Sequence, residues 1–195
     1  IVELHKRGGK LCRRQDLPDE AFVPLDKLKH SKHSMSTVFT KDGRMVPRKQ
    51  LRVISVSHPW QQPDHPDPKC INLKQLAEAL EIFVKEREKS PFAENSKGYY
   101  PCTYAVFFDY CSLYQHPRTE AMTALFKIAL ETMLTWYYHP FLFTFKLTRL
   151  PSGYPAGWDF PEGTTPNRAE YHDRGWCFTE HSVSVLFKDS DMVLD

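Results

Sequence analysis

From Leu51 to Leu147 the chain alternates between short apolar runs rich in β-formers and longer stretches with helical spacing, which restricts it to few folds. Leu51-Arg-Val-Ile-Ser-Val-Ser57 reads as a strand that stops at His58-Pro59-Trp60, where four prolines within ten residues can continue neither a strand nor a helix interior. Asn72 is placed to cap a helix reaching about Lys89, with Leu73, Leu76, Ala77, Leu80, Phe83 and Val84 at three- and four-residue spacing. Tyr104 to Asp109 is apolar at consecutive positions, as in a strand covered on both faces. Thr119 to about Tyr138 repeats the helical pattern through Met122, Leu125, Ala129, Met133 and Trp136. Phe141, Phe143, Phe145 and Leu147 then alternate with Leu142, Thr144 and Lys146, the half-polar pattern that suits a sheet edge. Strand, helix, strand, helix, strand implies parallel pairing, hence an α/β fold with a flavodoxin-like, mostly parallel sheet flanked by helices.

Outside this alternation the chain is less regular. Residues 1 to 50 lack sustained periodicity apart from a short helix expected near Asp16 to Phe22, and are read as an irregular arm packed on a body formed by residues 51 to 195. The arm holds 12 Lys/Arg against 6 Asp/Glu, the body 14 against 18, so the arm is basic and the body mildly acidic. Lys6, Arg7, Lys10, Arg13 and Arg14 are not interleaved with aromatics, so solvated charge rather than nucleic-acid binding is expected. Pro151 to Asp173 is a long connection of the length reserved for lids or insertions, and a final helix should begin near Trp176 or Cys177. The first residue is Ile and the last five stop without a capping signal, so a piece of a longer protein is expected. No apolar run approaches the roughly 18 to 20 residues of a membrane span. Five cysteines without paired or metal-type spacing favour free thiols, and the chain is read as intracellular and cytoplasmic.

In a parallel sheet, ligands bind beyond the carboxyl ends of the strands. Those ends carry Ser57, His58 and Trp60 on the first strand and Asp109, Tyr110 and Cys111 on the second, while the turn before the last helix adds Arg174, Trp176 and Glu180. Two tryptophans, a carboxylate and a helix N-terminus suit a nucleotide pocket, and a carboxylate there can hold ribose hydroxyls or stabilise a cationic sugar. Each residue also has a plainer reading. Glu180 can be a solvated helix residue, Trp176 core, Asp109 a turn cap, and His58 a ring satisfied by backbone. Cys111 and Cys177 are nucleophiles or buried inert thiols. His58, His65, His116 and His172 are too scattered to form a metal set, so no metal is expected.

Arg174-Gly-Trp-Cys-Phe-Thr-Glu180 resembles the Ser-x-Trp-Cys-Leu-x-Glu-Leu segment of TIR domains and the Arg-x-Trp-x-x-x-Glu signature of the fungal heterokaryon-incompatibility (HET) domains. Val53-Ile-Ser-Val-Ser-His-Pro-Trp60 resembles the opening strand of HET domains, and Phe107-Phe-Asp-Tyr-Cys-Ser-Leu-Tyr-Gln115 resembles their WIDALCINQ segment. The three lie in the same order, within residues 51 to 186. The resemblance implies a TIR/HET-like domain with NAD or a related nucleotide as substrate rather than as cofactor, Glu180 as the catalytic carboxylate, and Ser57, Trp60, Asp109 and Trp176 around it. It also implies hydrolysis of the nicotinamide-ribose bond. The alternatives are a signalling module of the same fold that self-associates without catalysis, and a nucleoside or sugar transferase. The chain ends about fifteen residues past Glu180, so the last two strands of a TIR sheet are expected to be missing and the third strand to form the edge.

Overall fold

In a computed structural model, residues 1–24, 37–39, 45–47, 51–88, 103–140 and 142–195 are described. In chain order the elements are α1 (Val2–Lys6), β1 (Thr37–Phe39), β2 (Met45–Pro47), β3 (Leu51–Ser57), α2 (Ile71–Glu88), β4 (Thr103–Phe108), the single turn α3 (Asp109–Ser112), α4 (Glu120–Thr132), α5 (Thr135–Tyr138), β5 (Phe143–Lys146), α6 (Gly175–Phe187) and β6 (Val193–Leu194). β1 and β2 form an antiparallel pair within the arm expected to be irregular. The rest of Lys27 to Lys49, Lys89, the loop from Ser90 to Pro101, and Phe141 lie outside the described residues.

The other four strands form one all-parallel sheet in the order β4-β3-β5-β6. Because successive side chains alternate between faces, β3 supplies both layers of core. Ile54 and Val56 pack with Leu73, Leu76 and Leu80 of α2, with Phe108, Phe143 and Phe145, and with Leu11 from the N-terminal segment. Val53 packs instead with Phe107, Leu113, Met133 and Tyr137, against which Phe126 and Leu130 of α4 and Val183 of α6 are laid. Helices therefore cover both faces, and each fully buried leucine or isoleucine contributes roughly 1.5–3 kcal/mol. The sheet's polar business is confined to the α4–α6 side, where Ser55, Ser57 and Thr144 are all buried.

Several local expectations are corrected. The cap of α2 is Asp67 rather than Asn72, its two carboxylate oxygens accepting from the backbone N–H of Ile71 (2.8 Å) and Leu73 (2.7 Å). Asn72 sits inside the first turn, buried, and its side-chain amide has no partner among the described residues. The helical stretch from Thr119 breaks after Thr132, whose hydroxyl bonds back to the carbonyls of Ile128 and Ala129 and competes with the helix ladder. Near Asp16 there are only two 3-10 turns, Arg14–Asp16 and Asp19–Ala21, with Asp16 paired to Arg13.

The third strand is not the edge of the sheet. β5 lies between β3 and β6, and the polar residue of its alternation, Thr144, is buried because its hydroxyl meets Ser55 Oγ (3.0 Å), Ser184 Oγ (3.2 Å) and the Lys188 ammonium (2.6 Å). The half-polar pattern reports an internal hydrogen-bond network, not solvent. No helix among the described residues is long and apolar enough to cross a membrane.

Candidate active site

Parallel pairing brings the carboxyl ends of β3 and β4 side by side, and α6 crosses beyond them. Between these ends, α4, the start of α6 and the end of the 151–173 connection lies a cleft of about 490 Å³. Its apolar floor includes Leu113, Phe126, Leu130 and Met133, and its polar rim includes His58, Trp60, Asp109, Arg174, Trp176 and Glu180. Six of the nine residues that the sequence places at the two strand ends and the turn before the last helix thus line one cleft.

Glu180 is 6% exposed, which excludes a solvated helix residue. Its Oε2 accepts from Ser57 Oγ at 2.5 Å, and Ser57 Oγ meets the Tyr171 hydroxyl at 2.6 Å. A carboxylate stripped of water is costly to ionise, so burial pushes the Glu180 carboxyl up to about 8; the Ser57 hydrogen bond pulls it back, the Asp109 charge adds to the rise, and Tyr137 lowers it again. Ser57 does not line the cleft and acts through Glu180. Tyr137, whose hydroxyl donates to the Val56 carbonyl at 3.0 Å, and Tyr171 are fully buried beside the same group.

Asp109 does two things. Its Oδ1 accepts from the Tyr110 backbone N–H (2.7 Å), which is the turn-capping role, and its Oδ2 accepts from Trp60 Nε1 (2.8 Å), which fixes that ring at the rim. Trp176 is not core: it is 58% exposed, because the second position of α6 faces the cleft mouth rather than the sheet. His58 is 5% exposed with its ring against Phe108, and its Nε2 is buried with no partner among the described residues. Burial, reinforced by Arg174, lowers its proton affinity and keeps the ring neutral despite Asp109 and Asp67.

Arg174 lines the cleft but its guanidinium is committed to the wall. Nε donates to the Ala169 carbonyl (2.8 Å), and the two Nη atoms donate to Trp60 (2.5 Å) and Asn167 (2.7 Å). The long connection is pinned further by Tyr154, donating to the Gln61 carbonyl, and by Trp158, donating to the Gln61 side chain with Lys69 over its ring at 3.7 Å. The end of this connection, through Asn167, Ala169 and Asp173, forms one wall of the site.

The thiols are inert. Cys177 lines the cleft and donates to the His58 carbonyl at 3.4 Å, Cys111 packs against the core on the opposite face and is not among the lining residues, and burial pushes both up to about 12. Neither presents a thiolate at neutral pH. Among the described residues no group of His, Cys, Asp and Glu is arranged to hold a metal ion. Sequence reasoning missed Tyr171, Tyr137, Gln115 and Asp173; the one available signal was the pair of serines inside an otherwise apolar strand, which demands buried polar partners. Comparison with models of known protein families, with curated proteins and with solved structures finds no match to this chain.

Proposed function

We propose that the chain is a TIR/HET-like, flavodoxin-like domain whose cleft binds NAD or a related nucleotide and hydrolyses the nicotinamide-ribose bond. The observation that carries this reading is Glu180: a buried carboxyl, held by Ser57, facing a cleft beside the ends of β3 and β4 and rimmed by Trp60 and Trp176. A strand order that runs second, first, third, fourth supports the finer fold assignment.

In the reaction the N-glycosidic electron pair leaves with the pyridinium nitrogen, giving neutral nicotinamide and an oxocarbenium-like ribose. The Glu180 carboxylate stabilises that positive charge, the tryptophans wall the flat ring, and Asp109 positions the water that adds at the anomeric carbon and gives up a proton. Glu180, raised to about 8, is mostly protonated at neutral pH. A pyridinium cation beside it favours the ionised form, so a cationic leaving group is matched to this site. The test is nicotinamide release from NAD by the purified domain, across pH 6 to 9.5, beside Glu180→Ala. Release that climbs towards pH 8 and vanishes in the variant supports the reading; no release from a folded sample that also fails to bind NAD overturns it.

A second reading is favoured by a separate observation: Phe178, Val185, Leu186 and Phe187 of α6 are all exposed apolar residues. Of these, Phe178, Val185 and Leu186 share the outer side of the helix, which suits a module that assembles by protein contacts without catalysis. Assembly that persists unchanged in Glu180→Ala, without NAD turnover by the parent, is the result that selects it.

A further inference from the structure

Gln115 lines the cleft just beyond α3, and nearly all of its hydrogen-bonding capacity is used to hold it still. Its backbone N–H donates to Gln15 Oε1 (3.2 Å) and its carbonyl accepts from Gln15 Nε2 (2.6 Å), so the N-terminal segment clasps the main chain from 100 residues earlier. The side-chain nitrogen donates to the carbonyls of Leu113 (3.0 Å) and Asp109 (3.3 Å), one for each of its two hydrogens. This pair fixes which way round the amide lies, because an oxygen in that place would face two carbonyl oxygens. What remains is Oε1. It accepts no hydrogen bond among the described residues and, unlike His58 Nε2, it is not a buried atom left without a partner. With the main chain clasped by Gln15, the side chain and its free oxygen are what Gln115 offers to the cleft.

The surroundings say what that oxygen can recognise. Through its nitrogen the amide is tied both to Leu113, which forms the apolar floor with Phe126, Leu130 and Met133, and to Asp109, whose carboxylate holds Trp60 at the rim. A flat ring buries its apolar face on such a floor and turns its edge to the wall, where a sugar has no apolar face to bury. The carboxyl groups of the cleft, Asp109, Asp173 and Glu180, answer positive charge. Gln115 Oε1 is neutral, so it asks only for an N–H or O–H donor. Because the amide is already immobilised, accepting that bond costs little further side-chain entropy.

We propose that Gln115 Oε1 is a specificity-determining acceptor of the cleft, taking a hydrogen bond from an amino group carried on a flat ring of the nucleotide. This deepens, and rests on, the nucleotide reading above. NAD carries two such groups, the carboxamide of the pyridinium ring and the 6-amino group of adenine. Gln115 is bonded to Asp109, which positions water in that reading, so the carboxamide is the expected donor.

Three dinucleotides test the acceptor from the ligand side: NAD, its 3-acetylpyridine analogue, in which a methyl group replaces the carboxamide nitrogen, and its hypoxanthine analogue, in which an oxygen replaces the adenine amino group. Neither change alters the net charge, so the carboxyl groups do not bear on the comparison. Binding is measured by calorimetry on Glu180→Gln, which keeps the shape of the site and consumes no ligand, with and without Gln115→Met, which fills similar space without the amide oxygen.

The acetylpyridine analogue should bind about ten-fold more weakly than NAD, and the difference should vanish in Gln115→Met. A loss of that size on the hypoxanthine analogue instead supports the acceptor and turns the ligand end for end. Equal affinities for all three ligands with Gln115 in place overturn the proposal. So does a Gln115→Met protein that binds all three more weakly with their ratios kept, the mark of a residue that only shapes the turn. Gln115→Asn, which draws the amide back by one methylene, replaces Gln115→Met if that variant does not fold; it should narrow the same ratio, and an unchanged ratio overturns the proposal. Nicotinamide release by the wild type separates this inference from the reading it rests on. Release without a ligand preference removes the acceptor and leaves hydrolysis, a preference without release removes hydrolysis and leaves the acceptor, and binding of none of the three overturns both.

Discussion

Two polar clusters lie on the same face of the sheet, one rung apart. Ser55 and Ser57 project to one side of β3, and Glu180 and Ser184, four residues apart, share one side of α6. The lower rung is closed: Ser55 bonds the Phe143 carbonyl and Thr144, Ser184 bonds Thr144 and the Tyr137 carbonyl, and Lys188 completes the set on Thr144. The upper rung, Tyr171-Ser57-Glu180, opens on the cleft through Glu180. Polar burial alone therefore does not mark function here. What separates the rungs is whether their hydrogen-bonding capacity is used up inside the protein.

The largest expected effect breaks the comparison at its centre. Glu180→Gln keeps the shape of the upper rung but cannot carry a negative charge, so nicotinamide release should fall by about 10²–10³-fold, the scale of removing one preorganised electrostatic group. Thr144→Val in the lower rung should do the reverse. It strips Lys188 of its closest acceptor, costs about 1–3 kcal/mol in thermal or denaturant unfolding, and leaves turnover per folded molecule unchanged. Loss of turnover in Thr144→Val with stability intact would mean the lower rung is part of the site.

The pH dependence of stability sharpens the contrast, because each rung holds one buried group brought to about 8, and the two have opposite signs. Burial raises Glu180 from 4.5 to about 8, so the folded form binds a proton the unfolded chain releases; its contribution is full below 4.5 and is lost as pH rises towards 8. Burial lowers Lys188 from 10.5 to about 8, so the unfolded chain holds the extra proton and stability recovers as pH rises from 8 to 10.5. The groups around Glu180 are Asp109, Ser57 and Tyr137, and Lys188 is met by Thr144 and the Trp136 carbonyl. Melting temperature plotted against pH should dip near 8. Glu180→Gln should flatten the acid limb and Lys188→Met the alkaline limb, and a curve that is flat in wild type refutes both assignments.

Much of this architecture is legible in the sequence, and the part that is not fails for identifiable reasons. The apolar runs at residues 51–57 and 104–108 and the helical spacing of Leu73, Leu76 and Leu80 carry the α/β layering, because burying one face imposes a period. The convergence of His58, Trp60 and Asp109 follows from the parallel pairing of β3 and β4. Asp67 as the cap of α2 is hidden because it reaches forward across Pro68 to Ile71 and Leu73, not from the residue next to the helix. Arg174 and Trp176 both line the cleft, in different ways. A guanidinium expected to face ligand is committed to carbonyls, and an indole that could have been core stands at the mouth, since both depend on where the 151–173 connection returns. Thr144 misleads because a polar residue bonded inside a layer has the same sequence signature as one facing water.

The smallest effect is the most discriminating, since it compares neighbouring serines on one strand. Ser57 stabilises the ionised form of Glu180 by donating to it at 2.5 Å. Ser57→Ala should therefore raise the Glu180 carboxyl further and move the alkaline rise of nicotinamide release to higher pH. At pH 7, where the ionised fraction is already small, turnover should drop roughly three- to ten-fold, the effect of a half- to one-unit shift; at pH 9.5 much of it should return. Ser55→Ala, which removes a hydroxyl from the closed rung, should leave the profile where it is. A Ser57→Ala enzyme whose rate falls equally at every pH would show that the serine orients Glu180 without tuning its charge.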